Sequence, residues 1–127
     1  MKLFFAALCV SAIATAAYAE CPAKSPKFSK SYFSDGDQKV NAAWLQKNLS
    51  GRKVVYPGKE FETYFANGSY SYTANGQAWE ASSYRFYDNG VRCIGYDQPR
   101  FDLYVVNNGQ LVLVNQQKQR YVGEIRK

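Results

Sequence analysis

Apolar positions recur along this chain with two different periods. Between Asp37 and Leu49 they fall at helical spacing, Val40 with Trp44 and Leu45 with Leu49, behind the capping residues Ser34-Asp35-Gly36-Asp37 and ahead of Gly51, where a helix-ending glycine belongs. From Lys53 onward the period drops to two, which marks half-buried strands. The spacing therefore predicts one helix over 37–49 and strands after it. Asn-Gly recurs at Asn67-Gly68, Asn75-Gly76, Asn89-Gly90 and Asn108-Gly109. Both central residues of a type I′ hairpin turn need positive φ, which Asn and Gly tolerate best, so each pair predicts a tight hairpin. Pro57-Gly58, Asp97-Gln98-Pro99-Arg100 and Gln116-Gln117-Lys118-Gln119 supply further turns. Strands are expected near 53–57, 60–66, 69–74, 77–87, 91–96, 101–107, 110–115 and 120–126. The predicted class is mainly β: an eight-stranded antiparallel up-and-down meander closing into a small barrel, preceded by one short helix, because closure removes exposed strand edges.

Two-residue turns also fix register: Phe65 opposite Tyr70, Tyr72 opposite Trp79 and Tyr87 opposite Arg92, while a four-residue turn sets Tyr96 opposite Phe101. One face then collects Phe61, Phe65, Tyr70, Tyr72, Trp79, Ala81, Ile94, Tyr96, Phe101, Leu103, Val105, Val112 and Val114. The opposite face collects Glu62, Ser69, Ser71, Thr73, Glu80, Ser82 and Asp102. The same register sends Arg85 and Arg92 inward, where an unpaired charge is costly. Either a β-bulge at Ala81-Ser82-Ser83 turns both outward and brings Tyr84 and Phe86 in, or both guanidiniums bond the free carbonyls where the helix ends at Gly51. The helix is expected to close the barrel end holding the turns at 67, 89 and 108. The other end stays open and gathers Lys59, Trp79, Tyr96, Arg100, Phe101 and Lys118, a basic and aromatic rim of the kind enriched at protein contacts. A solvated loop end over a filled core is the alternative.

Ahead of this domain the chain begins MKLFFAALCVSAIATAAYAEC, a lone Lys2, an apolar run and Ala17-Tyr18-Ala19 as a cleavage site, which reads as a signal peptide over 1–19. The run is too short to span a membrane, and no later segment is apolar enough. Tyr18-Ala19-Glu20 before Cys21 is a poor lipoprotein box. Residues 20–36, with Ser, Pro and Lys and no period, read as an extended N-terminal arm, and 37–127 as the helix plus small β-barrel domain. Cys9 leaves with the leader, so Cys21 and Cys93 are expected to bond in a periplasmic or secreted setting, as the arm's sole tether.

With Lys2 gone, fifteen Lys and Arg stand against ten Asp and Glu. That balance suits an acidic surface, yet no basic run exceeds Arg52-Lys53 or Arg126-Lys127, and export argues against nucleic acid as the partner. The chain has no histidine, which removes Ser-His-Asp and Cys-His nucleophile systems and the usual zinc sites. Glu60 and Glu62, spaced i,i+2, are read as an outer strand face rather than an acid/base pair. No glycine-rich phosphate loop is present, and no cofactor or metal is expected.

Helix, Leu49-Ser50-Gly51-Arg52 and meander together resemble the calycin-type small barrels, and in particular the short single-disulfide exported bacterial proteins that include alkaline-protease inhibitors and c-type lysozyme inhibitors. The lipocalin Gly-x-Trp is replaced after Gly51 by Arg52-Lys53. The resemblance covers 37–127 and implies a non-catalytic binding protein, a hydrolase inhibitor or host-contact factor acting on a protein partner through the arm or the open barrel end. Arg85-Phe86-Tyr87 is similar to the Arg-x-Tyr pair of fatty-acid-binding proteins, which implies a second reading: an internal anion site of Arg85, Tyr87 and Arg92 in a carrier of a small amphipathic anion inside the barrel. An enzyme is the third and least supported reading.

Overall fold

The computed structural model describes residues 20–127, so the leader read at 1–19 lies outside the described residues. Among the described residues the architecture is mainly β, with antiparallel strands and one α-helix. In chain order these are β1 (Gln38–Lys39), α1 (Ala42–Leu49), β2 (Arg52–Val55), β3 (Phe61–Tyr64), β4 (Tyr70–Ala74), β5 (Gln77–Ala81), β6 (Tyr84–Phe86), β7 (Val91–Ile94), β8 (Arg100–Asn107), β9 (Gln110–Val114) and β10 (Arg120–Arg126). There are ten strands rather than eight for two reasons. Gln38–Lys39 pairs with Val105–Val106 of β8 before the helix begins, and the expected strand 77–87 bends at Ser82-Ser83 into β5 and β6. The first of these also shortens the helix. Its N-cap is Asn41, whose side chain accepts the Trp44 N–H at 2.9 Å, a cap worth about 1 kcal/mol. Gly51 follows the helix at φ +75°, as its position predicts.

The hydrogen-bonded order is β5-β4-β3-β2-β10-β9-β8-β7-β6. β10 pairs with β9 through Arg120–Gly123 and with β2 through Glu124–Arg126, so it turns a corner and curls the meander onto itself. The two ends of the path, β5 and β6, are halves of one bent stretch and do not pair with each other, so the sheet is a curled half-barrel rather than the hydrogen-bonded closed barrel expected. Gly123 lies at the β10 corner; a Cβ there would stand 2.5 Å from Val54 Cγ1 and 3.1 Å from Tyr56 Cε1.

The Asn-Gly pairs divide into two kinds. At 75–76 and 108–109 both residues have positive φ, and the expected pairings Tyr72–Trp79 and Val105–Val112 are observed. At 67–68 and 89–90 only the glycine does; Phe65 bonds Ser69 and Tyr87 bonds Val91, making three-residue loops that place the glycine at the bulge. Each adds one residue to its loop, which inverts a face. Tyr64, not Phe65, opposes Tyr70, so Glu62 and Tyr64 point inward while Phe65 is 43% exposed. The β7–β8 connection is also one residue longer than expected: Ile94 opposes Arg100 across 95–99, rather than Tyr96 opposing Phe101 across a four-residue turn, so Asp102 and Tyr104 point inward instead of Phe101 and Leu103.

Leu103, Val105, Val112 and Val114 are buried all the same, because the arm covers the outer face of β7–β9. Phe28, Tyr32 and Phe33 pack there beside Cys21, which bonds Cys93 with its Cα 5.8 Å away. The disulfide is present but is not the sole tether: Tyr87 donates to Pro22 O at 2.6 Å, Tyr32 to Gln116 O at 3.1 Å, and Arg120 pairs with Asp37 at 2.6 Å. Inside the barrel, Leu45 and Leu49 of α1 join Val40, Val54, Tyr64, Phe86 and Tyr104, closing the end that carries the turns at 67, 89 and 108. A covalent crosslink of this kind fits an oxidising, exported setting. No helix among the described residues is long and apolar enough to cross a membrane.

Candidate functional site

The barrel interior is not uniformly apolar. Glu62 of β3, Arg92 of β7 and Asp102 of β8 are all but fully buried there, with Arg92 bonded to Glu62 through Nη1 and to Asp102 through Nη2 at 3.1 Å. The phenols of Tyr56, Tyr70 and Tyr104 all donate to the Glu62 carboxylate, the last two at 2.5 Å, and the Arg92 guanidinium stands over the Tyr70 and Tyr104 rings. Burial by itself would raise the Glu62 pKa, but the Arg92 charge and the phenol donors outweigh it and hold the carboxyl below its ordinary value. Asp102 is held low against the same burial by Arg92 and by a fork from Arg100, whose Nε lies 2.9 Å away. The four interior phenols, Tyr56, Tyr64, Tyr70 and Tyr104, are raised well above the usual value, chiefly by burial.

Above this cluster the barrel is open. A cleft of about 230 Å³ lies at the end opposite α1, floored by Arg92 and Tyr70 and walled by Glu60, Tyr72, Tyr96, Arg100 and Tyr121. Glu60 accepts the Tyr72 phenol at 2.7 Å; burial first, and then this bond, push Tyr72 up to about 12. Trp79 packs on Tyr72 with ring centroids 5.7 Å apart and remains 45% exposed, and Tyr121 is 41% exposed. Tyr96 leans on Tyr70 at 6.2 Å. A larger, shallower groove of about 610 Å³ runs along the β10 corner, but its only charged pair is the exposed Glu124–Arg126 and no buried charge reaches it.

The structure brings Trp79, Tyr96 and Arg100 together at this open end, with Lys59 in the turn just before Glu60. It does not bring Phe101 or Lys118 there. Phe101 faces the arm, and Lys118 lies over the Tyr32 ring at 5.3 Å. Arg85, Tyr87 and Arg92 are not gathered in one interior site either. The bend at Ser82-Ser83 turns Arg85 outward, where it stands 5.5 Å from the Tyr87 ring beneath the arm, and only Arg92 stays inside. Arg92 bonds two carboxylates of the chain, not the helix carbonyls.

Glu60, Tyr72, Asp102 and Tyr121 escaped the sequence reading as site residues, and Glu62 was assigned to the outer face. The signal that could have found Glu62 and Asp102 was charge: a buried arginine needs carboxylates, and a one-residue lengthening of two loops supplies both. Among the described residues no group of His, Cys, Asp and Glu is arranged to hold a metal ion. Comparison of the chain with protein-family models, with curated proteins and with solved structures finds no match.

Proposed function

We propose that this chain is an exported, non-catalytic binding protein whose contact site is the open end of the barrel. The observation that carries the reading is the pairing of exposed Trp79 and Tyr121 with a cleft on a rigid barrel whose floor is fixed by buried ion pairs. Large aromatics left in water at a concave surface are typical anchors of recognition, and a floor that does not rearrange lowers the entropy cost of binding. The absence of histidine and the sequestering of Glu62 among phenols favour binding over acid/base catalysis. Lys59, on the rim, would steer an acidic partner surface more than hold it. The carrier reading is less well served, because the interior is filled by Arg92 and its partners and Arg92 already has its counter-charges.

The test is retention on immobilised, disulfide-intact 20–127 from extracts of the exported compartment. A species kept by the wild type and lost with Trp79→Ala/Tyr121→Ala supports the open end. Equal retention by both proteins would move the site elsewhere, with the arm next to be tested.

A further inference from the structure

The charges around the cleft narrow what can enter it. Arg92 and Arg100 are balanced by Glu62 and Asp102, which they bond directly. Glu60 makes no ion pair among the described residues and stands beside Lys59 of the rim, so this end is close to neutral and a small anion finds no unpaired cation within the cleft. A cation is disfavoured as well. Arg92 in the floor is committed to Glu62 and Asp102 and its Nε–H is sealed from the cleft, whereas Arg100, half-exposed at the wall, spends only Nε and Nη2 on Asp102 and has no hydrogen-bond partner at Nη1 among the described residues. An ammonium or guanidinium would meet those N–H groups with donors of its own. What the cleft offers is the Glu60 oxygen left over from the Tyr72 bond, the Arg100 Nη1 donors, the half-buried Tyr72 ring and the exposed rings of Trp79 and Tyr121.

We infer that the cleft takes one ring of a neutral saccharide. A pyranose has an apolar face of axial hydrogens that lies flat on an aromatic ring, and equatorial hydroxyls that donate and accept from the same oxygen. Such hydroxyls donate to Glu60 and accept from Arg100, satisfying groups that neither a cation nor an anion satisfies together. The flat, amphipathic phenol and indole rings supply the stacking surface. The cleft's volume of about 230 Å³ suits a single ring with its neighbours projecting past Trp79 and Tyr121, so the ligand class is a glycan held by one residue. This inference rests on the open end being the contact site, and it specifies the occupant.

Two-dimensional ¹⁵N NMR of disulfide-intact 20–127 tests it, because the chain contains two indoles, Trp44 on the helix and Trp79 at the cleft. The probes are cellotriose, maltotriose, galactotriose and triacetylchitotriose, with acetate and N-acetylarginine amide as charged controls. At least one neutral trisaccharide should shift the Trp79 indole signal saturably at millimolar concentration or below while Trp44 stays still, and Glu60→Gln and Tyr121→Ala should each weaken it about tenfold. No response to any neutral sugar, or a response to either charged control at lower concentration, overturns the inference. If the sugars fail while the retained species of the preceding section is still lost with Trp79→Ala/Tyr121→Ala, the open end is a protein contact and only the saccharide is wrong.

Discussion

Removing the Arg92 guanidinium is the sharpest perturbation the interior permits. Arg92→Met keeps most of the side-chain volume but leaves Glu62 and Asp102 buried with one cation fewer. Breaking a buried pair in this way costs about 3–5 kcal/mol, since the orphaned charge must stay desolvated. Two features pull the value toward the low end. Glu62 keeps the phenol donors of Tyr56, Tyr70 and Tyr104, bonds to a charged acceptor worth about 1.5–3 kcal/mol each, and Asp102 keeps Arg100. A loss of about 3 kcal/mol is expected by urea denaturation, leaving a folded protein if the wild type lies in the ordinary range of about 5–15 kcal/mol. Glu62→Gln should cost a similar amount, and the double variant less than the sum by about 1–3 kcal/mol, because the second change removes the charge that the first exposed. The pH dependence carries a sign that packing alone would not produce. In the wild type Glu62 and Asp102 have lowered folded-state pKa values, so their stabilisation is complete above the ordinary carboxylate range and is lost as pH falls through the folded values. Without Arg92, burial raises Glu62 above its unfolded value, so mild acidification from neutrality should stabilise the variant. An Arg92→Met protein within about 1 kcal/mol of wild type, or one that acid weakens just as it weakens the wild type, would refute this account of the cluster.

Face assignments follow from the register: Leu103→Ala should lose about 2–5 kcal/mol although it faces the arm, while Phe65→Ala and Trp79→Ala should lose about 1 kcal/mol or less, ranked by denaturant melts. Gly123→Ala should cost about 1–3 kcal/mol by driving a methyl against Val54 and Tyr56, whereas Gly58→Ala, which meets no atom within 4 Å, should show only the smaller penalty of its positive φ in the same melts. Reduction of Cys21–Cys93 should lower stability by about 4 kcal/mol on the chain-entropy view, with the arm still protected from proteolysis by Phe28, Tyr32 and Asp37–Arg120; release of the arm on reduction would show the disulfide acting alone. Raised phenols confer stability that is complete below the ordinary tyrosine pKa and is lost as pH climbs through the folded values, so phenolate absorbance from Tyr56, Tyr64, Tyr70 and Tyr104 should appear only together with unfolding; a smooth titration of all phenols in a folded protein would contradict their burial.

The elements were legible because each has a local cause. Period two, turn residues at regular intervals and one stretch at helical spacing are properties of neighbouring residues, and the class, the helix and the turn positions follow from them. Register was less legible because Asn-Gly supports two loop lengths. At Asn75 both residues adopt positive φ, while Asn67 stays in the ordinary region and turns its side chain onto the Ser69 N–H and hydroxyl, and only the larger assembly chooses between them. Burial on β8 misled for a different reason. Leu103 and Tyr104 are adjacent and both buried, one beneath the arm and one inside the barrel, so period two could not say which face was the interior. The candidate site suffered in proportion. Trp79, Tyr96 and Arg100 were found from the turns that end their strands, whereas Glu60 and Tyr121 depend on knowing which way β3 and β10 face.

A buried charge cluster is an uneconomical way to fill a barrel. Apolar residues of similar volume often serve equally well or better for stability, so the presence of Glu62, Arg92 and Asp102 is not explained by folding alone. Geometry supplies another reason. Asp102 lies between two cations, bonding Arg92 below and the fork of Arg100 above, so the orientation of a half-exposed guanidinium at the cleft wall is set by groups that cannot move without breaking buried bonds. Glu62 fixes the Tyr70 phenol in the floor in the same way. An apolar core would leave Arg100 on a flexible stem in water and Tyr70 free to tilt, and on the proposed function binding at this end would then have to order both at the expense of affinity. The cluster converts interior electrostatics into a rigid arrangement of donors and rings at the one end of the barrel that the helix leaves open.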